Sequence, residues 1–431
     1  MIHKIATRAV DAVSGIRPLH SPAATVFLGK LIRAGFGFLM TILVARLLGP
    51  ADFGLFYLAI TIIVVGQTVI GDGLDPGIVR YYAAVVSDDL MAARDVLRSA
   101  FTLRLLIAIP IALVAWPLGK WIAVEVFIAP EYALPIQIGI LGSAAAAMWN
   151  LGLVVYQSQE RFRTLALLTP SINVFRVLTA LLLIAVGHVT LGWVLGLHVL
   201  LFVVGAALVV GKVRTLLLPL TIRPAFLRTL LAFSGWAALS NLFFLLQANL
   251  GIPVLTYFRS SEAAGAFAVG ASLLLIIDQL TSSILIAKLP VVSRMKSVAE
   301  YREYVRKSLI AYGALALFLT PAYFLAEDII VLLYGVEFQA SVRIFQILML
   351  GFLVTLVTHP LYIIFYGIER PQTAAFAAAG GLVGWLVAAG ALIPVSGAEG
   401  AAWATLASRV VHGLLIVVLV GRALRNEPAK A

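Results

Sequence analysis

Long apolar runs separated by short polar breaks set the pattern of this chain. Twelve such runs lie at roughly 24–45, 53–71, 99–118, 134–156, 164–186, 190–211, 229–251, 264–287, 308–327, 342–366, 372–394 and 398–420. Each is near the ~20 apolar residues that cross the hydrocarbon of a bilayer as a helix. The sharpest break is ARLLGPADFGLF (Ala45–Phe56), where Gly49, Pro50, Asp52 and Gly54 interrupt the apolar sequence. The apolar segment after this break ends in GDGLDPGIVRYY (Gly71–Tyr82), which holds Asp72, Asp75 and Arg80.

The pattern repeats. YQSQERFRT (Tyr156–Thr164) and FYGIERPQT (Phe365–Thr373) each join a fourth run of a set of six to the fifth, and Gly54 and Phe56 answer Gly265 and Phe267. Each half has an even number of spans, so the halves run parallel, related by an axis along the membrane normal. The expected architecture is all-α, an integral membrane protein of about twelve transmembrane helices in two parallel six-helix lobes around a central cavity. The lobes are residues 1–211 and 229–431, joined by a cytoplasmic linker at 212–228. Residues 1–22 lack a signal peptide's apolar core. Ile2, Ile5, Ala9 and Val13 on one side suit an interfacial helix, and a disordered tail fits equally.

Composition agrees with the pattern: 62% of residues are hydrophobic and only 12% charged, against about 25% charged in soluble domains. The net charge of +11 is spread over short loops between apolar runs, which excludes a nucleic-acid face and points to membrane topology. With both ends placed in the cytoplasm, 22 of the 31 Lys and Arg lie on the inner side, three on the outer side and six within spans. By the positive-inside rule both termini are cytoplasmic. Cysteine is absent, which excludes disulfides and thiolate metal sites. No Walker loop, metal-ligand cluster or nucleophile triad occurs, and no outer loop is long enough for a catalytic domain. The expectation is a transporter with no cofactor and no metal, and not an enzyme.

Charge within a span is costly, so it faces protein or a water-filled path. Lys30 and Arg33 share a face of the first helix, either as a cationic contact for an anionic substrate or, for Lys30, with its head drawn to the inner interface. Arg176 stacks with Thr169 and Asn173 near the middle of the fifth helix, and Arg409 shares an arc with Thr405 and His412. Arg104 lies near the inner end of the third helix. With Arg80, these six cations are the candidate substrate contacts. Asp278, the one carboxylate well inside a span, is either paired to a cation or takes part in ion coupling. Asp72 and Asp75, with Arg80 five residues after Asp75, form either a helix-end turn with a local ion pair or a gate or ion-coupling site on the inner side. A stripe of cations with few acids suits a substrate that carries phosphates.

The run from Phe27 to Tyr82 resembles the oligosaccharide-flippase (Wzx-type, polysaccharide transport) branch of the multidrug/oligosaccharidyl-lipid/polysaccharide exporter superfamily. So do APEYALPIQIGILG (Ala129–Gly142), QERFRT (Gln159–Thr164) and ERPQT (Glu369–Thr373). The resemblance implies a flippase in the bacterial inner membrane. Its substrate would be a polyprenyl-diphosphate-linked oligosaccharide, flipped by alternating access for O-antigen, capsule or exopolysaccharide assembly. Membrane lipids, glycosyltransferases and a polysaccharide polymerase are the partners it implies. Basic residues in the first helix of such proteins fit Lys30 and Arg33. Two other readings stand beside it: an ion-coupled multidrug antiporter of the same superfamily, and a non-transporting scaffold of polysaccharide assembly.

Overall fold

The computed structural model describes residues 22–426 apart from 293, 296 and 369, so the N-terminal basic segment lies outside the described residues. Helices account for nearly all of the fold, and among the described residues there is no strand. The first element, α1, runs over Pro22–Ile70, and a short 3-10 turn at Asp72–Leu74 leads into α2 at Asp75–Val85. The N-terminal half continues with α3 (Leu90–Trp121), α4 (Ala133–Ser158), α5 (Phe162–Ala185) and α6 (Leu191–Leu217). The C-terminal half holds α7 (Pro224–Asn249), α8 (Gly251–Phe258), α9 (Ser261–Val292) and α10 (Val298–Leu319). It ends with α11 (Ala326–Tyr334), α12 (Ser341–Tyr362) and α13 (Pro371–Asn426).

Two of these elements are far too long for a single crossing. A straight helix of the 49 residues of α1 would measure about 74 Å at 1.5 Å per residue, more than twice the ~30 Å hydrocarbon core. Gly49 breaks it with φ +73° and ψ 174°, a conformation open to glycine, and Pro50 supplies a ready start for the second limb. The Thr41 Oγ1 and Tyr57 OH atoms then lie 3.3 Å apart, although sixteen residues of continuous helix would hold them about 24 Å apart. α1 is therefore a helical hairpin. α13 folds back in the same way at Gly397, which has φ +55°. There Trp385 Nε1 donates to Thr405 Oγ1 at 3.3 Å across twenty residues of sequence.

Among the described residues, eight helices are long and apolar enough to cross a membrane, or nine when α7 and α8, bent by 42° at Leu250, count as one span. Large apolar side chains are exposed on the outer surfaces of these helices, Leu113, Leu182, Phe318 and Val387 among them, as lipid contact requires. The helix expected to end near 211 runs to Leu217, and the next begins at Pro224. The non-helical joint is thus shorter than 212–228. Arg223 pins that joint to α3: its side chain pairs with Asp95, and its backbone N–H donates to Ser99 Oγ at 3.2 Å.

Candidate functional site

The first limb of α1 packs on α5, and their contact carries the cations. Asn173 Nδ2 donates to the Arg33 carbonyl at 2.8 Å, and Arg176 Nη1 donates to Asn173 Oδ1 at 2.9 Å. The Arg176 guanidinium lies 4.4 Å from the centre of the Phe202 ring on α6, a cation–π contact. Its other two nitrogens, Nε and Nη2, are buried and have no hydrogen-bond partner among the described residues. Lys30 and Arg33 are exposed. Arg33 lies within electrostatic reach of both Lys30 and Arg176. The structure thus brings three of the six expected cations into one group. The two unmet donors of Arg176 are costly to leave unpaired away from water, a chemistry that an anion would suit.

Arg104, expected as a substrate contact, is only 1% exposed and has other work. Its Nη1 donates to the Ala147 carbonyl at 2.8 Å and sits 3.2 Å from Asp72 Oδ1. Its Nη2 donates to the Gly71 carbonyl at 3.0 Å and pairs with Asp75. Asn150 on α4 completes the cluster: its Nδ2 donates to Asp72 Oδ2 at 2.5 Å and lies 3.4 Å from Gln67 Oε1. One buried guanidinium therefore closes the turn between α1 and α2. Asp72 also lies within electrostatic reach of Arg33, so it stands between this buried clamp and the exposed cations. Arg80 is exposed on α2, beyond the turn.

In the C-terminal half, Arg409 on α13 donates from Nη1 to Thr355 Oγ1 on α12 at 3.0 Å. Asp278 on α9 lies within electrostatic reach of Arg409 and of His359. The His359 ring is stacked on Phe244 with centroids 6.0 Å apart, and Tyr362 OH and Ser240 Oγ are 2.6 Å apart beside them. Sequence reasoning missed Phe202 as the support of Arg176 and Asn150 as the partner of Asp72. Phe202 carries no signal of its role, since an aromatic residue on an apolar helix reads as core. On sequence alone, the amide of Asn150 reads as plain inter-helix hydrogen bonding and names no carboxylate partner.

At the Gly49 end of α1 the two halves meet closely. Arg46 donates from Nε to the Leu333 carbonyl at 2.8 Å and from Nη2 to the Leu332 carbonyl, so it caps α11 of the opposite half. Phe53 meets Phe338 edge to face with centroids 5.7 Å apart. Ser272 Oγ lies 2.9 Å from Tyr334 OH. Between these contacts the second limb of α1 crosses the start of α9 at Gly54 and Gly265.

A family model described as "Polysaccharide biosynthesis protein" matches residues 23–296. No curated protein matches the chain in sequence. Among solved structures, an inward-facing multidrug resistance MATE transporter of the MOP superfamily is 13% identical with TM-score 0.72, over 92% of this chain and 94% of its own. The lipid II flippase MurJ in an inward closed conformation is 14% identical with TM-score 0.72, over 93% of this chain and 87% of its own. A MOP superfamily transporter from Pyrococcus furiosus is 14% identical with TM-score 0.68, over 94% and 96%. At such identities these likenesses speak for the fold: an all-helical, multi-pass membrane protein built like transporters of the MOP superfamily.

Proposed function

The chain belongs to the polysaccharide biosynthesis protein family, and we propose that it is a flippase that carries a polyprenyl-diphosphate-linked oligosaccharide across the bacterial inner membrane. The observation that carries this reading is the group formed by Lys30, Arg33 and Arg176, with two unmet donors on Arg176. Counting the neighbouring Arg104, four cations face two carboxylates, Asp72 and Asp75, which leaves a surplus of two positive charges. A diphosphate diester carries two negative charges. Arginine supplies a planar fork of donors that matches phosphate oxygens.

Each hairpin supplies two passes, the bent α7–α8 pair one, and α9 one. With the remaining helices, twelve passes in two lobes is the topology we adopt. Cation counting puts both termini in the cytoplasm and the Gly49 end of α1 outside. The halves then touch at the outer end and again on the inner side where the Gly71–Asp75 turn and α2 meet α7, while Lys30 and Arg33 stand exposed towards the inner side. That is the arrangement from which alternating access loads substrate from the cytoplasmic leaflet. We assign ion coupling to Asp278, beside Arg409 and His359.

The test is deletion of the gene followed by leaflet-resolved measurement of lipid-linked saccharide. The expected result is accumulation on the cytoplasmic side, rescued by the wild-type gene and by neither Arg33→Ala nor Arg176→Ala. Unchanged lipid-linked saccharide with altered drug sensitivity would replace this reading with the antiporter.

A further inference from the structure

We propose that Asp72 is the built-in counter-ion of the cationic group, a carboxylate whose charge at Arg33 the incoming diphosphate replaces. Substrate binding is thereby coupled to the Gly71–Asp75 turn. The inference rests on the reading of that group as a diphosphate site.

The hairpin places the partners. The Thr41–Tyr57 contact fixes how the two limbs of α1 face each other. Followed away from Gly49, that register sets Arg33 opposite residue 65, and Asp72 lies about two helical turns further along, where the second limb ends, with its charge still reaching Arg33. Asp72 is held unequally. Its Oδ2 accepts from Asn150. Its Oδ1 sits 3.2 Å from Arg104 Nη1 but is buried with no hydrogen-bond partner among the described residues. An acceptor held by charge alone, between a buried guanidinium and an exposed one, can answer to either. Asp75 differs: it accepts a hydrogen bond from Arg104, and its electrostatic partners are Arg104 and Asp72, not Arg33.

An anion arriving at Arg33 and Arg176 takes over the Arg33 charge and repels Asp72, which leaves Arg104 as the carboxylate's partner. The turn is placed to pass this on. Gly73 packs against α7 of the opposite half so closely that a Cβ on it would lie 3.1 Å from Ala238 Cβ. Asp72 is thus a positioning residue: it offsets part of the positive charge of the empty site, and its release acts on the contact between the halves.

The experiment uses the full-length protein in nanodiscs, with farnesyl diphosphate as the probe at low ionic strength, and export measured in cells. Asp72→Asn keeps the Asn150 hydrogen bond and loses the charge. It is expected to bind the probe about threefold to tenfold tighter and to export more slowly, a split between affinity and turnover that simple loss of structure does not produce. Asp75→Asn is expected to change affinity less than twofold. Asp72→Ser carries the same expectation as Asp72→Asn should the asparagine variant fail to insert. Equal or weaker binding by the neutral variants, with Arg33→Ala weakening the wild type, overturns the counter-ion role and leaves the diphosphate site standing. Equal binding by wild type and Arg33→Ala, or none by either, overturns the site itself and this inference with it.

Discussion

Gly54 and Gly265 touch across the two halves of the molecule, each at the other's corresponding place. A Cβ on Gly54 would fall 1.7 Å from the Ser261 carbonyl oxygen, and one on Gly265 would fall 2.1 Å from the Pro50 carbonyl oxygen. Both Gly54 and Gly265, and Pro50 and Ser261, are 211 residues apart. Each member of one pair meets the equivalent neighbour of the other, the reciprocity of contacts across a two-fold axis. The crossing therefore lies on the axis that relates the halves.

Even one methyl group at this crossing must force the backbones apart. Gly54→Ala and Gly265→Ala are expected to open the contact near it. A cysteine placed at Phe338, which is 1% exposed, then reacts faster with a membrane-impermeant maleimide than in the Gly54 parent. Equal labelling rates would show that the crossing does not hold this end shut.

Arg104 is the keystone of the α1–α2 turn. Arg104→Ala leaves two largely buried carboxylates without their cation, and breaking a buried pair in this way costs about 3–5 kcal/mol. Thermal unfolding in detergent is expected to drop accordingly. Adding Asp72→Asn and Asp75→Asn to that variant is expected to recover some of the loss. A wild-type melting curve for Arg104→Ala would remove the turn from the stable core.

The Arg176 fork and its aromatic support act together. A hydrogen bond to a charged group is worth about 1.5–3 kcal/mol, so Arg176→Ala is expected to lower export by roughly ten- to a hundredfold. Arg176→Lys keeps the charge without the fork and should fall between. Phe202→Leu removes the ring beneath the guanidinium and is expected to cost about 0.5–2 kcal/mol of substrate affinity. Export rates at matched protein levels in the membrane decide this.

The chain has no cysteine, so a designed pair can be read without background. Phe53→Cys with Phe338→Cys joins the halves where their rings meet. Oxidation is expected to stop export, and a reductant to restore it. Export that continues through the cross-link would rule out opening at this end.

Much of this was legible in the sequence because a bilayer leaves few choices. Backbone polar groups in hydrocarbon must be satisfied internally, so apolar runs near twenty residues read as helices. The breaks at Gly49 and between 394 and 398 marked the two hairpins, and the echo of Gly54 in Gly265 gave the repeat. That these echoing glycines touch was not legible. A repeat shows that two places are equivalent and is silent on whether the axis runs through them. The site was half legible for a similar reason. Period and depth put Lys30, Arg33 and Arg176 on polar faces, but the same reasoning put Arg104 there. Only the three-dimensional path shows that Asp72, Asp75 and two backbone carbonyls already claim its nitrogens.

The surplus of positive charge beside Arg33 has an electrical consequence. A cell interior is negative, and moving one elementary charge through the full membrane potential is worth about 2.3 kcal/mol per 100 mV. Loaded with a diphosphate, the group is close to neutral and crosses without electrical work. On the flippase reading proposed above, the empty group returns inward carrying its positive charges down the potential. The reset is then the voltage-driven half of the cycle. In proteoliposomes, collapsing the potential with valinomycin and potassium is expected to slow turnover at saturating substrate and to leave substrate affinity unchanged.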